Sequence, residues 1–234
     1  MTILEKSAYL SLVLQFITGA IDIWGLNLKI PESLNIFRQL LWIELVVQVI
    51  ELIFYVWMVI QFLKKKKFKN ITVYRYFDWF VTTPSMLLTL MVFLDYNPGT
   101  SPPSVLEFIK QNAGIVVTVW ILNWIMLGFG LVGELGWMDT KKSAILGFIP
   151  FALYFLLIYK YFIYDKPKSD NPKGFQANEQ RNVFIYFLVV WSLYGVAALL
   201  SYEARNTMYN ILDLFAKNFF GLFLVYILYT KSIQ

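Results

Sequence analysis

Cysteine and histidine are both absent from the 234 residues, and only 15% of the residues are charged. Without cysteine there is no disulfide framework and no thiolate chemistry. Without histidine the commonest metal ligand and the usual proton switch near neutral pH are gone, so no metal site is expected. Soluble domains carry roughly a quarter charged residues; a chain this poor in charge must meet something other than water over most of its length. It has no basic face interleaved with aromatics, which argues against a nucleic-acid partner, and no internal repeat, which argues against an inverted-repeat transporter. What fills the chain is apolar: 59% hydrophobic and 19% aromatic residues, the latter suited to membrane interfaces. The net charge of +5 favours anionic lipid headgroups and little else.

A helix needs ~20 mostly apolar residues to cross a ~30 Å hydrocarbon core. Seven stretches qualify, at about 7–27, 33–63, 71–95, 112–133, 143–164, 181–202 and 206–231. With short connections they use the whole chain, so an all-α, seven-transmembrane-helix bundle forming one membrane domain over 1–234 is expected. Breakers separate the stretches: Lys29-Ile30-Pro31-Glu32, the lysine run 64–67, Asn97-Pro98-Gly99 with Pro102-Pro103, Glu134 to Lys142, and the longest polar loop, Asp165 to Arg181. The first stretch is too long for a removable signal, and no small-x-small site follows it. Seven spans put the termini on opposite faces. Ten basic residues then fall on the N-terminal face and nine on the other, so the positive-inside bias does not choose an orientation. The lysine run reads as a topological anchor.

A charge at mid-membrane costs at least ~2.5–3.5 kcal/mol on insertion scales, and each one is a functional hypothesis. Here polar residues form stripes at helical spacing. The last stretch carries Asn210, Asp213 and Lys217; the third, Arg75, Asp78, Thr82, Ser85 and Thr89; the second, Glu44, Gln48, Glu51 and Tyr55; the first, Ser7, Ser11, Gln15 and Thr18. The Ser and Thr positions serve equally well as interhelical hydrogen-bond contacts. Lys217 is different. It lies deep in an apolar run, too far from either end to snorkel, and two acids, Asp78 and Asp213, stand ready where a structural pair needs one. A lysine amine shut away from water is the setting for imine formation with a carbonyl compound, and the cation that follows needs nearby anions.

These residues resemble a known family. Arg75-Tyr76-Phe77-Asp78-Trp79-Phe80-Val81-Thr82-Thr83-Pro84 is similar to the third helix of microbial (type 1) rhodopsins. Asp213-Leu214-Phe215-Ala216-Lys217, then Phe220-Gly221, is similar to their retinal-binding last helix. Asn123 to Gly133 resembles the fourth helix, and Trp191-Ser192-Leu193-Tyr194 the clamp on the sixth. The resemblance spans all seven stretches. It implies all-trans retinal held as a protonated Schiff base on Lys217, with Asp78 and Asp213 as counterions and Arg75 beneath them. It also implies a pocket of Trp79, Trp191, Tyr194, Met126, Thr83 and Tyr55. Light would isomerise the chromophore, and the proton would pass to Asp78. Three positions depart from the pattern: Gly195 stands where many relatives have proline, Ala198 replaces a pocket tryptophan, and Asn123 stands where pumps often have aspartate.

Such proteins are not enzymes but pumps, channels or sensors. An outward proton pump needs a carboxylate on the uptake side, and the third-helix position of that donor is Thr89, with only Glu203, in the last loop, as a release candidate. Polar residues gather instead on the first, second and last helices, neighbours in the family's bundle. Ser11, Glu51 and Asn218 match by position the serine–glutamate–asparagine gate of channelrhodopsins, with Glu44, Gln48 and Asn210 along the same pathway. Carboxylates at a constriction admit cations and repel anions. A light-gated channel for monovalent cations or protons is therefore the leading expectation, resembling the channel-forming group of viral rhodopsins; an outward proton pump and a sensory photoreceptor are the alternatives. The resemblance further implies a multi-pass protein of the plasma membrane or a host-cell membrane, a possible homo-oligomer, with the N-terminus outside and the 165–181 loop inside.

Overall fold

The computed structural model describes residues 1–64, 70–97, 101, 103–165 and 177–232. Lys65 to Lys67 of the lysine run, Lys69, Pro98-Gly99, Pro102 and most of the expected Asp165–Arg181 loop lie outside the described residues. The helices are α1 (Ile3–Leu26), α2 (Asn35–Leu63, after a 3-10 turn Glu32–Leu34), α3 (Ile71–Asp95), α4 (Val105–Gln111), α5 (Ala113–Glu134), α6 (Thr140–Tyr159), α7 (Ala177–Ala197), α8 (Tyr202–Asp213) and α9 (Phe219–Ser232). A π turn at Lys160–Tyr164 extends α6, and another at Leu214–Asn218 joins α8 to α9. Merging α8 and α9 into one rod and setting aside the seven-residue α4 leaves seven long helices, as expected.

Six of the seven are long and apolar enough to cross a membrane by composition. The other, α7, has Glu179, Gln180 and Arg181 in its opening turns, yet its 21 residues rise about 32 Å. Packing closes a ring: α1 on α2, α2 on α3, α3 on α5, α5 on α6, α6 on α7, α7 on α8, and the α8–α9 rod back on α1 and α2. Polarity is arranged inside out. Trp42, Ile53, Phe77, Ile145, Phe148 and Leu156 are exposed, whereas Asp22, Glu44, Glu51, Arg75, Asp78, Asp213 and Lys217 are buried. Lipid accepts the former, and helices satisfy their own backbone.

Local chemistry sets the helix ends and corrects several expected boundaries. Thr2 and Glu5 form a reciprocal capping box, Glu5 N donating to Thr2 Oγ1 at 3.1 Å and Thr2 N to Glu5 Oε2 at 2.9 Å. This starts α1 at Ile3 instead of residue 7. Asp139 Oδ1 accepts from Lys141 N and Lys142 N, both at 3.1 Å, so α6 begins at Thr140; Gly136, at φ +73°, supplies the tight turn before it. The short α4 was not expected; Ser104 Oγ caps it by accepting from Glu107 N at 3.2 Å. Helix α7 starts at Ala177 and ends at Ala197, and only Ala198 to Ser201 separate it from α8. Hence Ser201 and Tyr202 are not part of the sixth span, and Glu203 and Arg205 lie in the first turn of α8, not in a loop. Arg205 Nη1 pairs with Glu134 Oε1 at 2.9 Å, tying that turn to the end of α5.

Candidate functional site: a buried lysine between an apolar cavity and a polar column

Lys217 sits in the π turn, where one extra residue widens the helix; such bulges recur at functional sites. Its side chain is buried, and Nζ donates to Asp78 Oδ2 on α3 at 2.5 Å. The second carboxylate beside it is Glu51 of α2, with Oε1 at 4.0 Å. Asp213, expected as a counterion, forms no ion pair within 4.0 Å of Lys217 among the described residues, and other donors take its oxygens. It accepts from Arg75 Nη1 at 2.9 Å, from Tyr55 OH at 2.8 Å and from Tyr194 OH at 2.7 Å. Three strong donors on one side chain keep it turned toward Arg75. Each oxygen of Glu51, and Asp78 Oδ1, has no hydrogen-bond partner among the described residues.

On one side of Lys217 lies a cavity enclosing about 880 Å³ of empty space, mouth included. Trp79, Thr83, Met126, Trp191, Tyr194 and Lys217 all line it. Tyr55 does not line it; its hydroxyl is spent on Asp213 and on Asn210 Oδ1, the latter at 3.1 Å. The fifth stretch, from which no residue was assigned, contributes Gly147, Phe151 and Tyr154. Trp79 meets Tyr194 edge-on at 5.6 Å and Tyr209 at 5.1 Å, which fixes the indole plane. Thr83 Oγ1 accepts from Asn123 Nδ2 at 2.7 Å, so Asn123 braces the wall. Two of the three unusual positions, Gly195 and Ala198, border the cavity, and Gly195 is exposed. Flat apolar walls leading to one amine and its carboxylate suit a long polyene aldehyde, which makes retinal a chemical fit.

On the other side, buried polar side chains of α1, α2, α3 and the α8–α9 rod stack in levels. Nearest the start of α1, Arg75 donates to Asn206 Oδ1 through Nε at 3.3 Å and to Asn210 Oδ1 through Nη2. Asn210 Nδ2 donates to Ser7 Oγ at 2.8 Å, and Ser11 Oγ donates to the Asn210 carbonyl at 2.8 Å. The next level holds Lys217, Asp78 and Glu51. Beyond it, Asn218 Oδ1 accepts from Thr18 Oγ1 at 2.7 Å and from Gln48 Nε2 at 2.5 Å. The last level is Asp22, against Gly221, with Glu44, whose Oε1 accepts from Thr89 Oγ1. Then the column stops. Gly25, Leu41 and Val225 pack together, beside the rings of Phe37, Phe93 and Phe223.

Ser11, Glu51 and Asn218 therefore do not meet. They occupy three successive levels: Ser11 contacts Asn210, Glu51 faces Lys217, and Asn218 contacts Thr18 and Gln48. Ser11 and Thr18 are seven residues apart, about 10 Å along a helix. Three buried participants, Asn206, Thr72 and Asp22, were missed by sequence reasoning. Asn206 precedes Asn210 by four residues and Asp22 follows Thr18 by four, so each extends a stripe already visible. Both stand near the ends of apolar runs, where a polar residue looks unremarkable.

A family model described as Bacteriorhodopsin-like protein matches residues 4–231. Bacteriorhodopsin of Halobacterium salinarum is 29% identical over 161 residues, 64% of this chain and 55% of that protein. The opsin-like protein carO of Fusarium fujikuroi is 26% identical over 168 residues, 68% of this chain and 48% of that one. The chain thus spans about half the length of the curated relatives it matches. Among solved structures, the viral rhodopsin OLPVRII superposes with a TM-score of 0.76 at 26% identity, covering 98% of this chain and 99% of that one. The thermophilic rhodopsin of Rubrobacter xylanophilus has the same fold, with a TM-score of 0.76 at 20% identity, covering 98% and 97%. With a buried lysine lining an apolar cavity inside seven long helices, and a match over nearly its whole length, the chain belongs to the bacteriorhodopsin-like family of microbial rhodopsins, as an integral membrane protein that binds retinal.

Proposed function

We propose that this rhodopsin is a light-gated cation channel, with retinal bonded to Lys217 and the polar column as its ion path. The observation that carries the reading is the column itself, buried polar side chains on α1, α2 and the α8–α9 rod at levels on both sides of Glu51. Bound retinal supplies light absorption and a change of shape at the Lys217 nitrogen. Asp78, at 2.5 Å, would balance the positive charge there and take its proton. Trp79, Trp191, Tyr194, Thr83 and Met126, which line the cavity, would hold the polyene.

Two closures bound the path. At one, Arg75 fills the space between Asp213, Asn206 and Asn210; at the other, Gly25, Leu41 and Val225 leave only apolar surface. Between them, Glu51 is tethered to the lysine by charge alone. When the positive charge on the nitrogen is neutralised by proton loss to Asp78, Glu51 becomes the anion available to a passing cation. At 4 Å and an effective dielectric near 20, that attraction is worth about 4 kcal/mol, enough to offset part of the cost of dehydration. The expected pump objection changes form: Thr89 carries no proton, but it hydrogen-bonds Glu44, which stands in the same column.

Light-evoked currents under voltage clamp test the reading. A current that reverses near the cation equilibrium potential and follows external sodium or potassium supports the channel. A current of one direction at all voltages, indifferent to those ions, replaces it with a pump, and a chromophore without current replaces it with a sensor.

A further inference from the structure

Pro84 stands inside α3, six residues after Asp78. A proline in a helix has no N–H for the carbonyl four residues back, here that of Phe80. Phe80 is 54% exposed, on the outer face of the bundle, where lipid offers that carbonyl no donor. The donor comes from the neighbouring helix. Trp124 Nε1 of α5 donates to the Phe80 carbonyl at 3.0 Å, and the two rings stack, 5.2 Å apart and 18° from parallel. The carbonyls beside it are engaged by side chains too. Thr82 Oγ1 donates to Asp78 O at 2.9 Å, Thr83 Oγ1 to Trp79 O at 2.7 Å and Ser85 Oγ to Val81 O at 3.0 Å. Four consecutive carbonyls, beginning with that of Asp78, therefore accept from side chains, and of the four donors only Trp124 belongs to another helix. Trp120 of α5 donates to Pro84 O at 2.9 Å, but α3 runs on to Asp95, so that carbonyl also has the N–H of Leu88 one turn on.

We infer that Trp124 is a positioning residue for Asp78: by occupying the carbonyl that Pro84 frees, it fixes the α3 turn that carries the acid and so holds the carboxyl at the Lys217 nitrogen. The need for such a fixture follows from how Asp78 is held. Its Oδ2 accepts from Lys217 Nζ at 2.5 Å, whereas Oδ1 has no hydrogen-bond partner among the described residues. Asp213 is located by three donors from three other helices; Asp78 has no such cradle, and its backbone sets where its carboxyl stands. A turn interrupted by proline and carrying hydroxyls bonded back to its own carbonyls bends more readily than a regular one. Tying it to α5 removes that freedom. Trp79, the next residue on the same turn, lines the cavity, so one contact on the lipid side steadies both the acid and a wall of the retinal site.

The inference rests on Lys217 as the retinal attachment point but not on the channel. Trp124→Phe keeps a stacked ring and removes the N–H. In the retinal-bound protein its visible band is expected to move to the red. Proton transfer to Asp78 after a flash should slow about tenfold or more, within what a displacement of roughly 1 Å can cost a reacting group. In the retinal-free protein, backbone amides of residues 80–88 should exchange with deuterium roughly fivefold faster, because an unpaired carbonyl weakens the turn. Pro84→Ala returns a backbone N–H to the Phe80 carbonyl, so Trp124→Phe added to it should change band, rate and exchange much less than in the parent. Trp120→Phe, which leaves the Phe80 carbonyl paired, should shift the band less than Trp124→Phe. A visible band in each variant certifies folding. An unchanged band and rate in Trp124→Phe overturn the inference. So do equal effects of Trp124→Phe in the parent and in the Pro84→Ala background, or an equal shift from Trp120→Phe, the mark of lost packing alone. A parent protein without a visible band would overturn the retinal reading at Lys217 and this inference with it, whereas a parent band with any of those results removes the inference alone.

Discussion

Replacing Glu51 with glutamine removes one negative charge while keeping volume and hydrogen-bonding atoms. Glu51 Oε1 lies 4.0 Å from Lys217 Nζ, and neither oxygen has a partner among the described residues, so no hydrogen-bond network is broken. A cation at a similar distance from the carboxylate loses between about 1 kcal/mol, if the path is as wet as bulk water, and about 4 kcal/mol at an effective dielectric of 20. At 1.4 kcal/mol per tenfold, cation conductance is expected to fall between about fivefold and a thousandfold. Selectivity for cations over anions falls with it, so the reversal potential moves when external sodium chloride is diluted. The assay is whole-cell voltage clamp, with currents normalised to the amount of visible pigment. Glu51→Asp, which keeps the charge, should retain most of the current. Glutamine currents equal to the parent's in size and reversal potential, with pigment intact, would show that the carboxylate plays no part in conduction. The column would then be interhelical packing.

Four further outcomes are expected. Lys217→Ala protein mixed with all-trans retinal gives no visible band; a parent-like band would place the attachment elsewhere. Asp78→Asn shifts the parent band to the red, because losing an anion 2.5 Å from the nitrogen weakens the ground-state preference for charge at that end, and an unchanged spectrum would pass the counterion role to Glu51. Arg75→Gln leaves Asp213 buried without its ion-pair partner and should cost about 3–5 kcal/mol, read as a lowered thermal midpoint of pigment bleaching; Arg75→Gln with Asp213→Asn should recover part of that loss. Gly221→Ala drives a methyl against Asp22 and lowers the same midpoint, but much less in an Asp22→Ala background, and a cost that simply adds would show that the two residues do not touch.

The number of helices, the lysine and the carboxylate beside it were legible because membrane burial makes polar residues conspicuous. Asp78 at helical spacing from Arg75 and Thr82 could face nothing but the bundle interior, and so it does. What was not legible was which acid meets which base. Asp78 and Asp213 look equivalent in the chain, but Asp213 faces Tyr55, Tyr194 and Arg75, three donors that spacing on a single helix cannot reveal. The π turn is a second reason. By inserting a residue between Asp213 and Lys217, it turns the lysine toward α3 and α2 and away from the stripe that an ideal helix would give it. Asn218 lies eight residues beyond Asn210, about 12 Å along a helix, which separates it from Ser11 and sets it against Thr18 and Gln48.

Thr89 shows how function is misread when one helix is considered alone. As a single position it removes a proton donor, and that absence weighed against pumping. In the fold its hydroxyl meets Glu44, so a carboxyl group reaches the same region from α2 instead of α3. Relocating the acid also changes what surrounds it. On α2 it joins Gln48 and Glu51 at spacings of four and three, inside the column shared with α1 and α9.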